Sequence, residues 1–229
     1  KIIDAQGFTQ PVPVCALGGS IATAKTGVTA SVVEVKDFAE LEHLGEAAVR
    51  GKIVFFNHPF DPKFVNTFMA YGEAVQYRWK GPSMAAKYGA VASIVRSMTL
   101  AQDDNPHTGS MRYVDSLPKI PCCAISTNGA DLLSDILRSG KSAKFFLKMN
   151  CESLDSVLSY NVIGDIRGSE KPDEVVLAGG HLDSWDTGDG AHDDGAGIVQ
   201  SIEIIRSIKA LGWKPKRTIR MVAFMNEEN

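Results

Sequence analysis

The stretch from Val175 to Phe224 constrains the fold more than any other part of this chain. Val175 to Ala178 is a short continuous apolar run, the pattern of a strand buried on both faces. A loop rich in Gly and Asp follows from Gly179 to Gly197. Ile198, Val199, Ile202, Ile205 and Ile208 then form a helical stripe that Gly212 and Pro215 close. Thr218 to Met225 reads as a second buried strand. Strand, helix and strand at this spacing predict a right-handed crossover on a parallel sheet. Sheets of that kind place ligands at the carboxyl ends of their strands, where the acidic loop begins.

The earlier part of the chain has another texture. Ile53-Val54-Phe55-Phe56 lies between Gly51 and the Pro59, Asp61, Pro62 cluster and reads as a buried strand. Pro82 to Tyr88 predicts a short helix with proline near its first turn and Gly89 as its stop. Ala90 to Arg96, Ile120 to Ile125 and Ala143 to Met149 read as further strands. Thr127 or Asn128 is positioned to cap a helix bearing Leu132, Leu133, Ile136 and Leu137 on one face, with Gly140 beyond its end. The expectation is a small α+β unit of many short strands and two short helices over residues 1–152, followed by an α/β unit over 153–229. No internal repeat or low-complexity tract interrupts either part.

Bulk properties remove several functional classes. With 24 basic and 27 acidic residues the formal charge is −3, which offers no basic excess for nucleic acid. No apolar run approaches the ~20 residues of a membrane span. Four cysteines (Cys15, Cys122, Cys123, Cys151) are too few for a disulfide-stapled scaffold and lack zinc-ribbon spacing; Cys122 and Cys123 read as strand residues. The chain opens on Lys1 and stops at Glu227-Glu228-Asn229 directly after a strand-like run, which reads as a fragment of something longer.

Residues 181–194 hold five aspartates and two histidines, well above an even spread of the chain's 27 acids. A solvated, turn-rich loop is one reading, since Asp and Gly both favour turns. Three details point elsewhere. His181 and Asp183 sit two apart at a strand end, so both side chains share a side. That suits a metal-bound imidazole whose other ring nitrogen is held by a carboxylate. Asp193-Asp194 falls where the next helix starts, with Asp194 fit to cap it and Asp193 projecting into the crevice. Glu227-Glu228 ends the second strand at the same edge. Neighbours on an extended chain face opposite ways, so one glutamate can ligate while the other addresses a water. A histidine and several carboxylates form a hard, mixed N/O site suited to zinc or a similar divalent ion. No register fits an EF-hand, and there is neither a phosphate-binding Gly-Lys-Ser/Thr loop nor a Gly-x-Ser-x-Gly elbow.

Gly180-His181-Leu182-Asp183-Ser184, Gly190-Ala191-His192-Asp193-Asp194-Gly195-Ala196-Gly197 and Asn226-Glu227-Glu228 together resemble the motifs of the co-catalytic dizinc aminopeptidase and glutamate carboxypeptidase family. Similarity extends to Gly51-Lys52-Ile53-Val54, Ala85-Ala86-Lys87-Tyr88-Gly89-Ala90, Pro106-His107-Thr108-Gly109, Lys119-Ile120-Pro121 and Lys214-Pro215-Lys216-Arg217-Thr218. The resemblance implies a fold class of an α+β protease-associated domain, residues 1–152 with connecting strands, followed by an incomplete α/β zinc exopeptidase domain with a mostly parallel sheet and flanking helices. It implies two zinc ions, with His181 ligating one, Asp193 bridging both and Glu228 ligating the other. Glu227 would be the general base, taking a proton from the attacking water and giving it to the leaving amine. Asp183 would orient His181, and Asp194 would fix the loop backbone beside the bridge. Short peptides with free termini are the implied substrates, and secretion or the periplasm the implied location. A homodimer stays open.

The family also uses an Asp and a His downstream of the paired glutamates. The expectation is therefore a chain that by itself binds zinc weakly and does not turn over peptide. Two other readings share the scaffold: a receptor or binding module without catalysis, and a single-zinc glutaminyl-cyclase-like enzyme. His192 is expected to be a loop or substrate-facing residue. Trp185 is either a wall of the cleft or packing. His43 and His58 are expected in solvated, polar segments, and His107 either lines the cleft or orders its loop.

Overall fold

A computed structural model describes residues 1–185 and 187–228. The chain divides into two compact units, Lys1–Leu154 and Asp155–Asn229.

In the first unit the elements are β1 (Ile2–Ile3), β2 (Thr9–Gln10), β3 (Val14–Ala16), β4 (Val28–Val35), α1 (Phe38–Val49), β5 (Ile53–Phe56), α2 (Thr67–Trp79), α3 (Gly81–Lys87), β6 (Ala92–Arg96), β7 (Cys122–Ile125), α4 (Thr127–Arg138) and β8 (Lys144–Leu147). They form one eight-stranded mixed sheet in the order β2-β1-β8-β4-β5-β6-β7-β3. Its centre, β4 to β7, is parallel, and antiparallel strands flank it on both sides. β5 and β7 are continuously apolar and fully buried because both faces are covered. Val54 and Phe56 enter one core with Leu41, Val49 and Tyr77. Ile53 and Phe55 enter the other with Ile94, Leu133, Phe145 and Leu147. Period-2 alternation likewise sends Cys122 to the first core and Cys123 to the second, so these neighbours point apart.

Four helices stand where two short ones were expected. Helix α1 starts in a reciprocal cap: the Asp37 side chain accepts from Glu40 N at 2.8 Å, while Glu40 accepts from Lys36 N at 2.7 Å. Its pattern is broken at Gly45, whose φ of 61° lies outside the helical region, and the break hides the helix from a periodicity reading. Helix α2 buries only Ala70, Ala74 and Tyr77 while exposing Phe68 and Met69, so it shows no clean apolar stripe. The cap of α4 is Ser126, one residue before the expected Thr127; its hydroxyl accepts from Gly129 N at 3.2 Å. A polar seam crosses the carboxyl edge of the parallel strands. Arg96, only 8% exposed, donates to Asp131 at 2.5 Å and Asn57 at 3.3 Å. Asn57 and Ser134 in turn donate to Glu34 at 2.6 and 2.8 Å. A buried guanidinium is tolerable only with such partners.

The second unit contains β9 (Val162–Ile166), β10 (Lys171–His181), α5 (Gly195–Ala210) and β11 (Arg217–Phe224). β11 is central, parallel to β10 and antiparallel to β9. The strand–helix–strand order matches the sequence reading, but the sheet is mixed rather than mostly parallel. The expected double burial of β10 does not occur in this chain: Val175, Val176 and Leu177 are 45%, 50% and 55% exposed. As an edge strand with helical cover from α5, β10 lacks the second layer that removes both faces from water. No helix among the described residues is long and apolar enough to cross a membrane.

Burial pushes the Cys122 thiol up to about 11 and raises Cys123 further. Because the thiolate is the nucleophile, a raised value suppresses reaction below it. Iodoacetamide at pH 8 is expected to leave Cys122 and Cys123 unmodified in the native chain, with Cys122 gaining reactivity only as pH nears about 11. Intact-mass measurement checks this; alkylation of either residue at pH 8 without unfolding would overturn it.

Candidate metal centre

The parallel pairing of β10 with β11 places His181 directly opposite Phe224, and Leu182 N donates to Phe224 O at 2.7 Å. The two strands therefore end side by side, and the loops that follow them share one edge.

Two carboxylates tie this edge together through backbone N–H groups. Asp194 caps α5, accepting from Gly197 N on Oδ1 at 3.0 Å, and its Oδ2 accepts from His181 N at 3.0 Å. It thus joins the end of β10 to the start of α5. Gly180 and Gly197 leave room for it: a Cβ at Gly180 would collide with Asp194 Oδ2 and come within 3.0 Å of Ile198 N. The Asp193–Asp194 peptide is cis. Asp183 joins β10 to β11, accepting from Glu227 N on Oδ1 at 3.1 Å and from Glu228 N on Oδ2 at 3.0 Å. Burial opposes its charge, but these N–H groups, with its own and that of Asn226, hold the carboxyl below the ordinary range.

His181 is held by a carbonyl rather than by the expected carboxylate. Its Nδ1 lies 2.8 Å from Asp183 O but 3.7 Å from Asp183 Oδ1, too long for a hydrogen bond. A carbonyl only accepts, so Nδ1 carries the proton and Nε2 points into the site. Nε2 sits 3.0 Å from Asp193 Oδ1 and 3.9 Å from Glu227 Oε2. Burial disfavours the imidazolium, yet the Asp183 carbonyl, Asp193 and the charges of Glu227 and Asp183 raise the His181 pKa above its ordinary value. A neutral ring with Nδ1–H would set its Nε2 lone pair against a carboxylate. Only a proton or a cation relieves that opposition, so the donor set fits a divalent metal.

His181, Glu227 and Glu228 each offer a ligand atom, all within 4.8 Å of one another. Asp193 lies outside that trio, its side chain 78% exposed, and meets His181 Nε2 at 3.0 Å. Among the expected ligands, then, His181 and Glu228 converge with Glu227, the expected base, while Asp193 stands at the rim. His192 is exposed, and Asp186 and Asn229 fall outside the described residues. Trp185, expected as wall or packing, lies near the Glu228 carboxylate and favours its charged form. Burial raises the Glu228 pKa, the charges of Asp193 and Glu227 add to this, and Trp185 and His181 oppose it. A depression of about 200 Å³ opens beside His181, bordered by Ser184, Asp189, Asp194 and Ile198.

Comparison with known proteins agrees with the motif. Residues 161–229 match the model of peptidase family M28. They belong to that family. The chain is 45% identical to carboxypeptidase Q of Xenopus laevis over 215 residues, covering 94% of this chain and 44% of that protein. A peptidase M28 precursor from Shewanella amazonensis superposes with a TM-score of 0.91 at 39% identity, covering 99% of this chain and 51% of that one. A zinc aminopeptidase from Bacillus subtilis shares the fold at a TM-score of 0.63 and 20% identity, covering 97% and 47%. The chain spans about half the length of the relatives it matches. The M28 segment thus begins one residue before β9 and contains every residue of the trio.

Replacing Gly180 by alanine is expected to displace Asp194 and lower stability by about 1–3 kcal/mol, the usual cost of forcing atoms into a closed site. Thermal unfolding checks this; a Gly180→Ala chain melting with wild type would show that Asp194 can move aside freely.

Proposed function

We propose that this chain carries part of a zinc-dependent exopeptidase centre that hydrolyses short peptides. The observation that carries the reading is the convergence of His181, Glu227 and Glu228, whose ligand atoms lie within 4.8 Å of one another at one sheet edge. The names of the relatives, carboxypeptidase Q and M28 peptidase, support it. In this reading His181, Asp193 and Glu228 would hold zinc, and an Asp and a His outside these residues would complete the set. Zinc, when bound, supplies Lewis acidity that polarises the scissile carbonyl and lets a water lose its proton near neutral pH.

The chain's own residues do the rest. Glu227, with its side chain 62% exposed, takes the proton of the attacking water and delivers it to the leaving amine. Asp183 O fixes the His181 ring with Nε2 turned inward. Residues 1–152 form a protease-associated domain in this reading, and the whole protein is secreted or periplasmic. The two acidic pairs, Asp193-Asp194 and Glu227-Glu228, favour this reading over a receptor module or a single-zinc glutaminyl-cyclase-like enzyme.

Glu227→Gln in the full-length protein is expected to lower peptide hydrolysis by about 10²–10⁴-fold, the usual worth of a general base, while bound zinc stays unchanged. Dipeptide cleavage assayed beside metal content checks this. Hydrolysis that survives either the substitution or complete chelation of metal would refute the proposal. In this reading, which takes two further ligands from outside these residues, the 229-residue chain alone is expected to bind zinc weakly. Two tight sites in a calorimetric titration would contradict that division of ligands.

A further inference from the structure

We propose that Asp183 is a positioning residue for both glutamates: its carboxylate gathers the successive N–H groups of Glu227 and Glu228 and so sets where the two side chains lie. This rests on the exopeptidase reading above and assigns the carboxylate to the glutamates instead of to the imidazole. The imidazole has no need of it, because Asp183 O already holds Nδ1 at 2.8 Å and Oδ1 is 3.7 Å away.

In an extended strand successive N–H groups point to opposite sides, and one carboxylate cannot collect neighbours. Here the chain leaves β11 at Phe224 and turns at Asn226, whose φ of 68° is left-handed. Asn is among the few non-glycine residues that tolerate that region. The turn brings consecutive N–H groups to one side, the concave arrangement that binds anions elsewhere. Each oxygen of Asp183 then takes one glutamate N–H, Oδ1 from Glu227 and Oδ2 from Glu228. With both backbones pinned, the two side chains emerge toward His181 together rather than on opposite faces. The Asp183 side chain is only 14% exposed, so water does not compete for its oxygens.

Three variants of the full chain test this, read by amide hydrogen exchange at residues 226–228 and by zinc affinity from chelator competition, with thermal unfolding as the fold control. Asp183→Asn keeps the shape but loses one acceptor; it is expected to speed exchange at Glu227 and Glu228 and to weaken zinc binding about 10–100-fold. Asn226→Val, which alters no charge, is expected to do the same because a β-branched residue resists the left-handed region. Asn226→Gly is expected to behave as wild type. If Asp183→Asn does not fold, the Asn226 pair decides alone. A wild-type chain that binds zinc, with unchanged exchange and affinity in Asp183→Asn or in Asn226→Val, overturns this inference and leaves the exopeptidase reading standing. A wild-type chain that binds no zinc at all overturns both.

Discussion

A carboxylate withdrawn from water must be given donors, and at this sheet edge the donors are backbone N–H groups. Asp183 accepts from the N–H groups of Glu227 and Glu228, and Asp194 from those of His181 and Gly197. Between them they join the end of β10 to the start of α5 and to the turn after β11. Charge-assisted bonds of this kind are about twice as strong as neutral ones. They are directional as well, so they place the neighbouring groups instead of merely attracting them. His181, Asp193, Glu227 and Glu228, the groups that offer atoms to a metal, are all attached to backbone that these two residues hold. The chemistry of the centre thus depends on two acids that, in the exopeptidase reading, touch no metal.

The two units solve different problems. The first closes a sheet between two apolar layers, and its buried cation, Arg96, is compensated by Asp131 and Asn57. The second leaves much of its apolar surface in water, on β10 and on α5 at Val199 and Ile202. Its order at the carboxyl edge therefore leans on polar contacts more than on burial. Gly180 belongs to that economy of space, because the Asp194 carboxylate occupies the volume a side chain would take.

Much of this was legible in the residues. The apolar runs located β5, β6, β7, β10 and β11, and the stripe of isoleucines located α5. Helix α2 escaped because it buries small residues and Tyr77 while exposing Phe68, the reverse of an amphipathic signal. At the site, His181, Asp183, Asp193, Asp194, Glu227 and Glu228 could all be singled out from type and spacing. Their partners were legible only in part: Asp194 was expected to cap α5 and does so. Asp183 was expected to hold the imidazole with its carboxylate, which instead accepts from the glutamate backbone.

The sequence by itself determined the inventory and its order: one histidine and a set of carboxylates at the ends of two strands, separated by a helix, on a chain with no charge excess to suggest another ligand. That much follows from local periodicity and residue chemistry. The tertiary structure decided which groups meet. Parallel register brings His181 beside Phe224, and a left-handed Asn226 lets a carboxylate 44 residues earlier in the chain hold Glu227. Neither fact is local. A hydrogen bond depends on distances of a few ångströms and on direction, and spacing along the chain specifies neither until the strands have paired.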